Sequence, residues 1–299
     1  MKNIKLLISY DGTKYNGWQK QGNTSNTIQE RLEETIARVT GESIELAGAG
    51  RTDAGVHALG QTANFRISDK AFNALLQRNK AAIDALIQKA GSVQNTANAA
   101  FITADDVFAN DTVIKTADTE ITAASTVIRN ELNQYLPQDI RILSVCMAEE
   151  RFHARLNAKG KHYSYRIDNS PVARIFDRKY VTRIEPALDL GRMLQASRVL
   201  IGEHDFKSFC SNKRMRKSTV RTIEKIEMTQ EDGMIKTDFY GNGFLYHMIR
   251  IIMGTLIEVG LHKREPEEME QILLSLDRSE AGYLAPAAGL FLEEVYYLQ

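Results

Sequence analysis

The hydrophobic pattern opens with a β-rich run over residues 4–9, closed by the turn signals Asp11-Gly12 and Asn16-Gly17. It predicts a strand followed by a loop that carries Tyr15 and Trp18. Thr27 with Glu30 three residues later is a capping-box signature, and Ile28, Leu32, Ile36 and Val39 then recur at helical spacing until Gly41. Apolar alternation at 44–47 and a further run at 61–67 predict two strands flanking a glycine-rich stretch, 48–57. Residues 68–128 break the pattern: they are rich in Ala, Thr, Asn and Asp and contain no Tyr or Trp. Phe72, Leu75, Leu76, Ile83, Leu86 and Ile87 can form one amphipathic helix there, whereas 97–126 is only weakly periodic. Regular structure resumes with a helix over 127–135, ended by Pro137, and a strand to about Met147. The first unit, 1–148, thus reads β-α-β-β-α-β around a long interruption.

A second unit, 149–299, shows a strand at 161–167, a helix at 188–200 and strands at 223–229 and 234–240. A long helix at 244–259, a helix at 266–276 and a strand at 290–297 follow. The similar element order of two β-rich α+β units suggests a structural duplication without a residue-level repeat. The apolar stretch 243–261 is long enough to pose as a membrane span, but His247, Arg250 and Glu258 lie inside it. Such charges are disfavoured in a lone spanning helix, so a helix buried in a core is expected, and no membrane association. An Arg in so apolar a helix requires an acidic partner, for which Glu258 and Asp53 are the candidates.

Composition narrows the choices. In 299 residues, 38 Lys and Arg balance 38 Asp and Glu, so a globally basic nucleic-acid binder is excluded while a local basic face is not. Arg151, Arg155, Lys159, Lys161 and Arg166, then Lys207, Lys213, Arg214, Arg216, Lys217, Arg221 and Lys225, concentrate cations in the second half. Cys146 and Cys210 stand far apart without metal-ligand spacing, so neither a disulfide framework nor a zinc site is indicated, and a reducing cytoplasm is the expected compartment. The first residues lack the features of a signal peptide.

The stretch Gly48-Ala49-Gly50-Arg51-Thr52-Asp53-Ala54-Gly55-Val56-His57 is the leading candidate for chemistry. Small residues around one Arg and one Asp let a ligand approach and expose a single carboxylate beside a cation. An ordinary glycine-rich hairpin with a surface ion pair fits the same spacing. GxxxxGK[ST] is absent, which disfavours a phosphate loop. His57, four residues after Asp53, reads better as loop-fixing than as half of a metal pair. Tyr163 and Tyr165 flank Ser164 on a strand and so share one face, either as core or as a stacking surface.

The string GAGRTDAGVHALGQTANF resembles the signature of the tRNA pseudouridine synthase A family, and Tyr10 to Gln19 is similar to that family's YDGTxYxGWQ segment. RFHARLNAKGKHYSYRI, GEHDFKSF, HMIRIIMG and AAGLFL extend the resemblance over most of the chain outside the middle segment. The resemblance implies two ferredoxin-like halves with a joined antiparallel sheet and a central cleft. It also implies isomerisation of uridine to pseudouridine in the tRNA anticodon arm, at conventional positions 38, 39 and 40, without a cofactor, by a homodimer. It makes Asp53 the catalytic residue, with Arg250 as its partner and Tyr163 against the base; Leu290 matches a position that packs on the base. Arg51, Arg155 and His57 complete the expected substrate-binding set.

The reaction breaks a glycosidic bond and rejoins the ring through carbon. Attack of Asp53 on the uracil, attack on C1′ and abstraction of the 2′ proton all remain compatible with one carboxylate beside a cation. The chain departs from the family by an insertion of roughly fifty residues within 68–128, tolerable because surface connections are cheap to lengthen. A helical or partly mobile excursion and an arm that binds RNA or a partner both fit it. The insertion keeps a second function class open, an RNA-binding protein with lost catalysis. Retention of Arg51, Asp53, Tyr163 and Arg250 together favours the enzyme.

Overall fold

In the first strand Ile4, Leu6, Ile8 and Tyr10 are buried while Lys5, Leu7 and Ser9 are half-buried, the period-two alternation of a strand with one face on a core. The structure is a computed structural model describing residues 1–93, 119–212 and 215–298. Its elements run β1 (Lys2–Tyr10), α1 (Ile28–Thr40), β2 (Ala47–Gly48), β3 (His57–Ile67), α2 (Asp69–Arg78), α3 (Lys80–Val93), α4 (Thr119–Tyr135) and β4 (Ile140–Ala148). They continue with β5 (Ala158–Asp168), β6 (Thr182–Arg183), α5 (Leu190–Ser197), β7 (Gly202–Asp205), β8 (Val220–Glu231), β9 (Met234–Gly241), α6 (Met248–Gly260), α7 (Glu268–Ser275) and β10 (Leu290–Tyr297).

The strands form one sheet in the order β4-β1-β3-β10-β5-β9-β8-β7, with β2 added to β3 and β6 to β5. Pairing is antiparallel except at β10–β3 and β5–β6. The join between the two ends of the sheet is narrow: β10 meets β3 only through Phe291 opposite His57 and Leu292 opposite Ala58. On its other side β10 pairs with β5 along most of its length. A single cluster of buried side chains runs from Ile4 and Leu32 to Phe239 and Val295, across both ends of the sheet. α6 is buried on almost every side, as its composition requires. Among the described residues no helix is long and apolar enough to cross a membrane.

Several element boundaries follow the expected chemistry. Thr27 accepts a hydrogen bond from the Glu30 amide, and Gly41 ends α1 at φ 72°. Other segments differ from expectation for identifiable reasons. Residues 44–46 are not a strand, because the Leu46 amide donates to Glu33 Oε1 and its carbonyl accepts from Gln29 Nε2, so α1 side chains take its backbone groups. β3 begins at His57 rather than near 61, which shortens the glycine-rich loop to 49–56. The single helix expected over 72–87 is two, α2 and α3. Their junction is Asn79, whose side chain bonds the Leu75 carbonyl and Glu131. The helix expected over 127–135 starts at Thr119, and its first turns pair with α3 in a separate small cluster of Ile83, Ala123, Ala124 and Val127. The expectations for 94–118, and for Lys213 and Arg214, lie outside the described residues. The long helix starts at Met248 instead of 244, since His247 takes a left-handed conformation at φ 66° and cannot continue a helix backwards.

Candidate active site

The 49–56 loop is held from below by its own backbone. Trp18 N–H donates to the Thr52 carbonyl at 3.0 Å, Ala49 N–H to Thr62 at 2.8 Å, and Val56 N–H to Asp53 at 3.1 Å. Gly17 carries the chain under the loop with φ 91°, and a Cβ there would fall 2.6 Å from the Thr52 carbonyl oxygen, so only glycine fits. Side chains complete the clamp: Gln61 Nε2 donates to the Gly50 carbonyl and Lys161 Nζ to that of Ala49. Tyr10 and Thr52 share a buried hydroxyl hydrogen bond. A loop so fixed presents the Asp53 side chain in one orientation, 18% exposed.

Arg250 Nη1 donates to Asp53 Oδ2 at 3.2 Å. Its Nε donates to the Ala285 carbonyl at 2.7 Å, and the Ala285 amide donates back to the Arg250 carbonyl, so the guanidinium is aimed before any ligand arrives. Glu258, the other candidate partner, is taken by Arg264 Nε at 2.5 Å. Asp53 therefore meets the first turn of α6, whose N-terminal dipole adds to the positive field of Arg250. His247 Nε2 lies 3.6 Å from the same carboxylate oxygen. Burial holds the His247 imidazole below its ordinary pKa, opposed by Asp53 and reinforced by Arg250 and Arg278. The balance favours the neutral ring.

Tyr163 is 7% exposed and meets Phe244 edge-on at 5.3 Å. Burial, with the charges of Tyr10 and Asp53 behind it, raises its phenol pKa, so the hydroxyl keeps its proton beside the carboxylate. Tyr165, on the same face, is fully buried and uses its hydroxyl on Thr182 and the Pro286 carbonyl, a structural role. Leu290 is buried at the start of β10 opposite Tyr165. Arg51 and Arg155 are both exposed and line one recess with Gln19, Glu45 and His153 on the flank of the loop.

His57 was expected both as loop-fixing and among the substrate-binding residues. It is 1% exposed, accepts a hydrogen bond from the Gly12 amide and stacks on Phe291. That geometry suits a residue that fixes the loop from behind. Two residues, one beside the carboxylate and one under its loop, escaped the sequence reading. His247 figured there only as a charge in an apolar stretch, although it lies three residues before Arg250 and so one helical turn away. Lys161 was one surface cation among many; it is half-buried under the loop. Burial first, then Arg155 and Arg221, lowers its pKa to about 8.

One carboxylate, one oriented cation and one protonated phenol converge, a set suited to nucleophilic or proton-transfer chemistry on a neutral ring. The pattern of a family described as tRNA pseudouridine synthase matches residues 6–97 and 196–298 of the chain. A tRNA pseudouridine synthase A of Bacillus sp. strain KSM-64 is 39% identical over 297 residues, covering 99% of this chain and 100% of that protein. A tRNA pseudouridine synthase A of Acetivibrio thermocellus is 38% identical over the same shares of each chain. A tRNA pseudouridine synthase A 2 of Clostridium tetani is 37% identical, covering 99% of both.

Proposed function

Since the chain belongs to the tRNA pseudouridine synthase family and is an isomerase acting on tRNA uridine, we propose that Asp53 is the catalytic carboxylate and the anticodon arm its target. The sites of modification in this reading are uridines at conventional positions 38, 39 and 40. Uridine and pseudouridine are isomers: the bond from N1 to C1′ breaks, a bond from C5 to C1′ forms, C5 loses its proton and N1 gains one. No electrons enter or leave, so this chain's own side chains suffice in the proposal.

The observation that carries the reading is the Asp53–Arg250 pair at 3.2 Å beside the buried Tyr163. Arg250 holds the Asp53 carboxylate in place as nucleophile or base. Tyr163 holds the detached uracil; its protonated phenol can only donate a proton, so the proton that C5 loses goes to the Asp53 carboxylate in this reading. Leu290 packs against the base. Arg51, Arg155, Lys161 and Arg221 take backbone phosphates, an electrostatic contribution that weakens as salt is added. The uridine leaves the helix stack to reach a carboxylate this enclosed. The same reading includes two ferredoxin-like halves, 1–148 and 149–299, with a helical insertion inside 68–128, acting as a cytoplasmic homodimer.

The test is tritium release from C5 of uridine in anticodon-arm RNA, with wild-type protein and Asp53→Asn compared at equal RNA occupancy. Release by the wild type and none by the variant is the expected result. Release by both would remove Asp53 from the chemistry. Binding without release by either would leave an RNA-binding protein in place of the enzyme.

A further inference from the structure

Tyr246 is 55% exposed, yet its ring is pinned. It stacks on His247 with centroids 3.7 Å apart and planes inclined by 27°, and the other side of the arrangement is Asp53, 3.6 Å from His247 Nε2. The backbone beneath is fixed as well: the Ser211 amide donates to the Tyr246 carbonyl, and the Met248 amide to that of Leu245. His247 holds this place in a left-handed conformation, φ 66° and ψ 2°, a strained geometry for a non-glycine residue and one that collects at functional positions. Its Nδ1 is buried without a hydrogen-bond partner. Strain and a missing hydrogen bond are thus both accepted where the outcome is an exposed, immobile aromatic ring beside the carboxylate.

Cations lie on the segments that neighbour Tyr246. Arg221 lies alongside Gly243, its Nη1 on the carbonyls of Ser218 and Val220, with no carboxylate within 4 Å among the described residues. Arg216 and Lys217 are exposed on the segment that Ser211 ties to Tyr246. An exposed aromatic ring stacked on one face, with cations on the adjoining segments, is an arrangement by which proteins hold an unstacked nucleobase and its phosphate.

We propose that Tyr246 is a stacking shelf for a nucleobase adjacent to the target uridine, a base contact distinct from the pocket of Asp53 and Tyr163. The inference rests on the reading of the substrate as RNA. The shelf takes the neighbour rather than the target because His247, and not Tyr246, is the ring that meets Asp53. A base on the open face of Tyr246 is therefore separate from a base in reach of the carboxylate.

The experiment measures binding in the Asp53→Asn background, which prevents turnover, using anticodon-arm RNAs with an abasic nucleotide 5′ or 3′ of the target uridine. Tyr246→Ala is expected to bind the intact RNA about 5- to 150-fold more weakly, the range for one stacked base, and Tyr246→Phe to bind it normally. One of the two abasic RNAs should cost the Tyr246 protein a similar factor and cost Tyr246→Ala nothing. Equal loss from the abasic RNAs in both proteins overturns the shelf, as does undiminished binding of intact RNA by Tyr246→Ala. Thermal denaturation confirms that the variants are folded. Tritium release by protein with Asp53 intact reports separately on the enzymatic reading: its absence with the abasic dependence preserved would sink catalysis and leave the shelf.

Discussion

Lys161 shows how a residue counted as one charge in a basic run becomes specific through its surroundings. One of its three N–H groups is spent on the Ala49 carbonyl; burial first, then the charges of Arg155 and Arg221, brings its pKa down to about 8. Above that pH the folded protein loses the ammonium, whereas the unfolded chain keeps it to about 10.5. RNA affinity of the wild type should therefore fall between pH 7 and 9, on the order of tenfold for one charged hydrogen bond, while Lys161→Arg stays flat over that window. Stability moves the other way: over pH 8 to 10.5 the unfolded state binds more protons, so this group's penalty on the folded state is relieved as pH rises. Binding titrations at each pH, with thermal melts alongside, check both signs. A wild-type affinity unchanged from pH 7 to 9 would take Lys161 out of the RNA contact. The loop around Asp53 was legible in the sequence because its small residues and lone acid stand close together along the chain. The lowered pKa values of Lys161 and His247 were not, because the largest cause of both is burial, which packing decides and no local pattern records.

At the level of elements, period and caps were readable where the chain supplies its own partners. The strand at 290–297 and the helix capped by Thr27 and Gly41 stand as expected. The strand expected at 44–46 failed because side chains of another element take its backbone groups, which no local pattern records. The early start expected for α6 failed for a different reason, the left-handed turn at His247. That helix illustrates a further dependence. A Cβ on Gly254 would lie 1.8 Å from the Tyr283 carbonyl oxygen, so the segment 283–285 rests on the bare backbone of α6. The same segment contains Ala285, which exchanges two hydrogen bonds with Arg250. Gly254→Ala should lower the melting temperature, with a loss of about 1–3 kcal/mol from overpacking, and slow tritium release by displacing the anchor of Arg250. Calorimetry and turnover test the two together. An unchanged melting temperature would mean that 283–285 can shift at no cost.

Across the whole molecule, stability is unevenly coupled to the site. The main cluster spans both ends of the sheet, whereas Ile83, Ala123, Ala124 and Val127 form a small cluster of their own under Leu76, Leu86 and Ile87. Ile83→Asp should accelerate amide exchange in α3 and the first turns of α4 while the main thermal transition and tritium release stay as in the wild type. Loss of release in that variant would tie the small cluster to the active site. The narrow join at β10 has a different consequence, one of time. As the chain leaves the ribosome, β1, β2, β3 and β4 can pair early, but the His57–Ala58 end of β3 waits for Phe291 and Leu292, which are made after β4 to β9. A nascent chain thus carries this short stretch of strand edge uncovered until β10 is made. Slow translation of the second half, or a stalled ribosome, exposes that edge to other chains and makes the newly made protein dependent on something that covers it.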